Sequence, residues 1–371
     1  MIDEFEIYIH IPFCRQKCFY CDFPSISGGD FLFGRYTSAI CREIELREIP
    51  SEKIRSIYFG GGTPSILPIE MIEKIFNSIP NKKSSPEITI EANPGTVDKK
   101  YLRDLRRIGF NRISFGVQSF NDRILKSIGR IHTSRDALDS IDSARLAGFK
   151  NINIDLIYAL PNQTIEDLQN DLDIIAALDI QHVSIYGLQI EEGTRFSQMK
   201  LDLPSDEITE SMYDLIVSEL PRLGFHRYEI SNYAKDGFES RQNLGYWSDI
   251  PYIGFGSAAH SYLNDDRIEN FSNVEEYIDA IESGKIFYRA EDPNRNRNDL
   301  ISEFCFLGLR KTSGIDRSQF KNKFGDPIEK YFQREIDRLI SKNLLEVDEK
   351  SIRLTPLGMK FGNLAFEEFL L

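Results

Sequence analysis

The sequence predicts an α/β fold in which parallel strands and crossover helices make a wide or incomplete barrel, followed by a smaller helical domain. Three observations predict it. Short β-rich runs alternate with longer helical patterns through the first half of the chain. Within those runs one face is apolar and the other polar. The polar residues gather toward the carboxyl ends of the runs, where α/β folds place their sites.

The strands fall at residues 5–11, 54–59, 87–92, 112–118, 151–157 and 182–189, with helices between them at 69–78, 99–108, 134–147 and 165–178. In the first strand Phe5, Ile7, Ile9 and Ile11 share one face, and Tyr8 and His10 the other. Ile88 and Ile90 oppose Thr89 and Glu91 in the third, and Ile113, Phe115 and Val117 oppose Ser114, Gly116 and Gln118 in the fourth. In the fifth, Ile152, Ile154 and Leu156 oppose Asn153 and Asp155. A closed eight-stranded barrel fills its interior with branched apolar side chains. A polar inner face therefore implies a wider lumen that holds a polar cofactor; the alternative, a sheet with one face in water, is rare for parallel strands. Cys14, Gly60, Glu91, Gln118 and Asp155 would ring one mouth of this barrel.

Beyond residue 195 the pattern changes. An amphipathic helix at 206–223 precedes a strand and turn at 225–233, and residues 241–262 are rich in glycine and aromatics. The hydrophilic run 291–298 marks a boundary, giving a barrel with its extension over 1–290 and a second domain over 291–371. That domain reads as helices at 300–309, 316–324 and 328–341, strands near 344–347 and 352–354, and a closing helix after Thr355-Pro356. The order resembles a winged helix. With fourteen Lys or Arg against fourteen Asp or Glu, the segment has no basic excess, so a lid or docking role is expected rather than a nucleic-acid one.

Composition narrows the function classes. The chain of 371 residues has 45 Lys or Arg against 58 Asp or Glu, a net charge of -13 that disfavours a nucleic-acid binder. Of five cysteines, Cys41 and Cys305 lie far from each other and from the remaining three, which predicts a reducing, cytoplasmic location and no disulfide framework. No apolar run approaches about 18 residues, and no signal peptide is expected.

The other three cysteines, Cys14, Cys18 and Cys21, form C-x3-C-x2-C. Three thiolates on one loop can each hold one iron of a 4Fe-4S cluster and leave the fourth iron open. The ligand this spacing suggests for it is the amino and carboxylate end of S-adenosylmethionine (SAM), which a cluster electron splits into methionine and a carbon radical. Zinc is the alternative; it wants four protein ligands, and the only nearby fourth candidate is His10. Gly60, Gly61 and Gly62, before Thr63, let the backbone approach a ligand and present N–H groups, or make a plain turn. Glu91 suits a sugar hydroxyl or an ammonium, and Gln118 and Asp155 offer similar chemistry; each can equally be a satisfied polar residue of a core. Arg130 is a candidate to neutralise a carboxylate, or a solvated arginine at a helix end. Tyr8 and His10 either touch cofactor or pack against the loop. Tyr20 either stacks on adenine or shields the cluster.

The run Tyr8 to Cys14, the cysteine spacing, Gly60 to Pro64, Glu91-Ala92-Asn93-Pro94, Gly116-Val117-Gln118-Ser119 and Asn153 to Tyr158 together resemble the HemN/HemW family of radical SAM proteins, over nearly the whole chain. The resemblance implies a partial (β/α)6 barrel with a 4Fe-4S cluster on Cys14, Cys18 and Cys21. It implies SAM held by Tyr8, Gly60 to Thr63 and Glu91, and puts Tyr20, Gln118, Arg130 and Asp155 at positions that hold a second SAM in the decarboxylating branch. That branch, oxygen-independent coproporphyrinogen III dehydrogenase, carries a fourth cysteine two places after the third and a longer amino-terminal arm. Here Phe23 stands at that place and thirteen residues precede Cys14, so the heme-chaperone branch is the expectation. Its implied partners are heme or porphyrin, heme-accepting proteins including a membrane-associated one, an electron donor and a second copy of the chain. The chaperones resemble His-Asn-x-x-Tyr-Trp where this chain has Gln242, Asn243, Tyr246 and Trp247. An amide is a poor substitute for imidazole on heme iron, which leaves His260 and His10 as further candidates.

Overall fold

In the computed structural model, which describes residues 4–47, 49, 53–80, 82 and 85–371, β1 (Glu4–Ile11) packs its odd-numbered apolar residues into the main core and turns Glu6, Tyr8 and His10 to the other face. It runs into β2 (Phe13–Cys14), which pairs in parallel with β3 (Ile26–Ser27) and closes the cysteine loop on itself. After α1 (Phe33–Leu46) come β4 (Lys53–Gly61), α2 (Ile69–Ser78), β5 (Glu87–Ala92) and α3 (Lys99–Ile108). Next are β6 (Arg112–Gln118), the short α4 (Asp122–Ser127), α5 (Ser134–Leu146), β7 (Ile152–Tyr158), α6 (Ile165–Ala177), β8 (His182–Gly187) and α7 (Asp206–Arg222). Neighbouring strands pair in parallel in the order β1-β4-β5-β6-β7-β8, which makes six strand-helix units. Local chemistry sets the helix ends. Thr133 with Asp136 and Thr164 with Asp167 form capping boxes, and Gly109 at φ 128 closes α3.

The second half differs from the sequence reading. Its elements are β9 (His226–Arg227), β10 (Asn232–Ala234), α8 (Arg241–Tyr246), β11 (Tyr252–Phe255), β12 (His260–Leu263), β13 (Asp266–Glu269), α9 (Val274–Glu282) and β14 (Arg289–Ala290). The glycine- and aromatic-rich stretch crosses under the barrel as α8, then lays β11 parallel to β1, at the opposite end of the sheet from β8. Helix α8 lies against the amino ends of the strands: Gln242 Oε1 accepts from Ser56 Oγ at 2.8 Å, and the Arg241 amide donates to Glu87 at 3.0 Å. Among the described residues the 12-stranded sheet runs from β14 to β9 with no pairing between those edges, so the barrel is partial. Buried Glu43 on α1 accepts from the Gly256 amide, Asn270 Nδ2 and the Tyr277 hydroxyl at 2.8–2.9 Å, tying the added strands and α9 to the barrel.

The carboxyl-terminal part comprises α10 (Arg297–Gly308), β15 (Ile315–Asp316), α11 (Arg317–Phe324), α12 (Glu329–Ser341), β16 (Leu345–Val347), β17 (Ser351–Leu354), α13 (Pro356–Lys360) and α14 (Gly362–Phe366). Its antiparallel sheet, in the order β15-β17-β16, and its own apolar cluster from Ile301 to Phe369 give the winged-helix arrangement. Polar contacts join it to the barrel: the Thr312 amide donates to the Tyr228 carbonyl at 3.0 Å, and Lys323 meets Asp249 at 2.6 Å. Among the described residues, all five cysteines are free thiols, and no helix is long and apolar enough to cross a membrane.

Candidate functional site

The cysteine loop is pinned from several directions. The Phe19 amide donates to the Ile128 carbonyl at 3.1 Å, the Phe196 amide to the Phe19 carbonyl at 2.9 Å, and Gln16 Nε2 to the Gly129 carbonyl at 3.0 Å. Tyr20 and Phe19 pack on a small apolar cluster of Ile124, Ile128, Ile157, Leu160 and Phe196, which seals the loop from one side. One polar frame joins two of the thiols. Arg130 donates from Nη1 to Cys18 Sγ at 3.3 Å and from Nη2 to Asn93 Oδ1 at 2.6 Å. Asn93 Nδ2 in turn donates to Thr63 Oγ1 at 2.8 Å, and that hydroxyl donates to Cys14 Sγ at 3.6 Å. Arg130 is thus not a solvated helix-end residue, and its guanidinium is committed to the loop and the barrel wall. Burial raises the Cys14 thiol and pushes Cys21 up to about 11, so both are protonated at neutral pH and must lose protons to bind iron.

His10 is likewise committed. Its Nε2–H donates to the Pro24 carbonyl at 2.9 Å, and its Nδ1 accepts from the Tyr8 hydroxyl at 3.0 Å, a tautomer assigned from the carbonyl partner. Burial pushes its pKa down to about 4, which keeps the ring neutral. Neither nitrogen is free for zinc or heme iron. Among the described residues no three His, Cys, Asp or Glu side chains are arranged to hold a single metal ion.

Glu91 stands at the carboxyl end of β5. Its carboxylate accepts from the Tyr58 hydroxyl at 2.8 Å and the Gly61 amide at 3.2 Å, and burial pushes its pKa up to about 7. The glycine triplet works differently from the sequence reading. The Gly61 and Gly62 amides donate to Glu91 and to the Ile11 carbonyl, so both are already engaged within the fold. Gly61 sits at φ 115, and a Cβ at Gly62 would lie 2.7 Å from the Phe13 carbonyl oxygen and 2.9 Å from Cys14 Sγ.

Gln118 has φ 70 at a bulge between β6 and β7, a device that re-aims a side chain at a strand end. Asp155 accepts from Ser114 Oγ at 3.0 Å and Asn153 Nδ2 at 2.8 Å. Asn153 Oδ1 is also 2.6 Å from His182 Nδ1, whose Nε2 lies 2.8 Å from the Tyr228 hydroxyl. The inner face is therefore polar and buried, not washed by solvent: Ser114, Asn153, His182 and Ser184 all lie within the fold. Asn93, Tyr58 and His182 were not singled out from sequence. Tyr58 carried a legible signal, because it alternates onto the same face as Ser56 and Gly60.

The candidates for the heme region lie on α8, at its carboxyl end and on β12. Buried Gln242 and the neighbouring Asn243 and Tyr246 belong to α8, with Tyr246 packed edge-on against Tyr252. Trp247 sits under the Arg310 guanidinium at the seam with the carboxyl-terminal part. His260 is exposed on β12, within 4.0 Å of Glu269 and Glu291.

A model of the radical SAM superfamily matches residues 8–175, and a model of the HemN C-terminal domain matches residues 296–361. A heme chaperone HemW from Lactococcus lactis is 39% identical, with 98% of this chain and 97% of the relative covered. The chain belongs to the HemN/HemW family of radical SAM proteins. Another HemW, from Bacillus subtilis, is 38% identical over 98% of both chains. The solved structure of the coproporphyrinogen III oxidase HemN from Escherichia coli superposes with a TM-score of 0.85 at 24% identity, covering 98% of this chain and 89% of that one, and so shares the fold. Membership of the superfamily implies a 4Fe-4S cluster and SAM. The residues fit both. Three free thiols sit on a pinned loop, a guanidinium with a buried, unpartnered Nε stands beside them, and a carboxylate faces the glycine turn.

Proposed function

We propose that this chain is a cytoplasmic heme chaperone, which binds heme and passes it to acceptor proteins, and whose 4Fe-4S cluster on Cys14, Cys18 and Cys21 binds SAM. Phe23 is the observation that carries the choice of branch. It occupies the place of the fourth cysteine of the decarboxylating enzymes and projects from the lip of the cysteine loop with 60% of its surface exposed. Ile26 and Phe31, 36% and 77% exposed, are further exposed apolar side chains of the segment that follows the cysteine loop. The names of the full-length relatives support the same reading.

In this reading the cluster supplies an open iron and an electron. The chain's own residues do the rest: Glu91 and the carbonyls of the Gly60 to Thr63 turn bind the SAM ammonium, and Tyr8, held by His10, lines the adjoining wall. Tyr20, Gln118, Arg130 and Asp155 are the candidates for a second SAM. An electron donor, a membrane-associated acceptor and a second copy of the chain are the expected partners.

Heme titration of anaerobically reconstituted protein, followed by mixing with a heme-free acceptor, tests the proposal. One heme bound per chain and transferred is the expected result, with His260→Ala binding like the wild type. Conversion of coproporphyrinogen to protoporphyrinogen with SAM and a reductant, without stoichiometric heme binding, would assign the chain to the decarboxylating branch instead.

A further inference from the structure

We propose that the outer face of the cysteine loop is the docking surface for an acidic electron-carrier protein, with Arg15 and Lys17 at the loop's apex as its main charge contacts. The inference rests on the reading of Cys14, Cys18 and Cys21 as cluster ligands and assigns the surface through which that cluster is reduced.

Electron transfer falls steeply with distance, so a donor has to approach the cluster closely. Cys18 and Cys21 are half-buried, and the loop that carries them is what separates a cluster on these thiols from a partner. The three residues between the first two cysteines, Arg15, Gln16 and Lys17, are all exposed. The apex is also held in place: Gln16 Nε2 donates to the Gly129 carbonyl at 3.0 Å, and Lys17 Nζ to the Phe23 carbonyl at 3.1 Å. Two further exposed cations flank it. Lys126 stands in the last turn of α4, whose end is tied to the loop by the bond from the Phe19 amide to the Ile128 carbonyl. Arg195 lies over the Phe19 ring, 3.9 Å from its centroid.

Charge selects the kind of partner. Many exposed cations elsewhere sit on carboxylates, as Arg35 does on Asp279 and Glu282, and Arg135 on Asp139. Among the described residues none of Arg15, Lys17, Lys126 and Arg195 forms an ion pair, and the one carboxylate of the segment from Cys14 to Phe23 is Asp22, exposed at its far end. On a chain of net charge -13, a cationic face around the thiols runs against the overall field and attracts an acidic protein. Apolar surface lies among the charges. Ile131, 57% exposed, lines the same hollow as Arg15, Gln16 and Cys18, and the bond from Lys17 fixes exposed Phe23 beside it. Apolar groups within a polar rim are the make-up of a protein interface, and electron-transfer encounters use small ones. The donor class is an acidic flavoprotein. Its flavin hydroquinone anion gives one electron to the oxidised cluster and becomes the neutral semiquinone, so no proton moves and no bond breaks.

Full-length protein, reconstituted anaerobically, is mixed with the hydroquinone of an acidic flavodoxin, and both the affinity of the complex and the rate of cluster reduction are followed from low to high salt. In the double variant Arg15→Glu/Lys17→Glu both are expected to fall by at least about tenfold, with a flatter salt dependence. Reduction by the small methyl viologen radical and SAM binding should match the wild type. Arg103→Glu reverses an exposed cation on α3 and should leave affinity and rate unchanged. Wild-type affinity and rate in R15E/K17E would overturn the inference, and so would an equal loss in R103E, which marks a diffuse charge effect. Should the double variant lose its iron, Lys126→Glu, outside the loop, decides: it must weaken both complex and rate, and no change in either overturns the inference. A wild type without any cluster refutes the ligand reading itself, whereas a cluster that methyl viologen reduces and flavodoxin neither binds nor reduces refutes the docking surface alone.

Discussion

Glu91 shows how one side chain couples structure to pH. Burial lifts its pKa to about 7, so near neutrality the free protein is a mixture of carboxylic acid and carboxylate. An ammonium ligand binds the carboxylate, and below pH 7 the proton must first be expelled. SAM affinity is therefore predicted to fall by up to about tenfold per pH unit below 7 and to level off above it. Calorimetric titration from pH 6 to 8 checks this, and Glu91→Gln should bind weakly with no such slope. His10→Ala removes the partner of both the Tyr8 hydroxyl and the Pro24 carbonyl, an expected loss of about 1–3 kcal/mol in chemical unfolding together with poorer cluster loading. Residue types and faces were legible in the sequence, because strand periodicity alone puts Tyr8, Glu91 and Asp155 on the inner wall. Their partners were not. The bond between Arg130 and Cys18 spans 112 positions, and no local pattern encodes it.

At the scale of elements, the six strand-helix units were readable because each strand buries one apolar row under a helix. Helix α8 and strand β11 were not, since they are six and four residues long and their place is set by tertiary contacts such as Gln242 on Ser56. That placement has consequences. Gln242→Ala should leave heme stoichiometry unchanged while lowering the melting temperature, because it strands the Ser56 hydroxyl; loss of heme binding in a folded Q242A would make α8 the heme site. A Cβ at Gly62, directly after β4, would crowd the Phe13 carbonyl and Cys14 Sγ. Gly62→Ala is expected to displace Cys14 and to reduce iron incorporation severalfold in reconstitution, with the far-ultraviolet circular dichroism of the wild type retained.

Across the whole molecule, buried carboxylates make stability fall as pH rises. Burial pushes Glu43 up to about 7, against the opposing pull of Arg47, and Asp171 up to about 6. Between the ordinary carboxylate range near 4 and pH 7 the folded state binds more protons than the unfolded one, so raising pH through this window removes stability, on the order of a few kcal/mol. Metal-free protein should melt several degrees lower at pH 8 than at pH 6. The general plan, a polar-lined partial barrel followed by a winged-helix part, was visible in the order and faces of its elements. The return of β11 to β1, by contrast, depends on chain crossings that periodicity does not record. The central claim is that the loop bearing Cys14, Cys18 and Cys21 holds a cluster with an open iron at the mouth of this lumen. Electron paramagnetic resonance of the reduced, reconstituted protein before and after addition of SAM tests it most directly. The account predicts a 4Fe-4S signal that changes on adding SAM and is absent from the triple Cys→Ala variant. A signal indifferent to SAM, or one surviving without those cysteines, would contradict it.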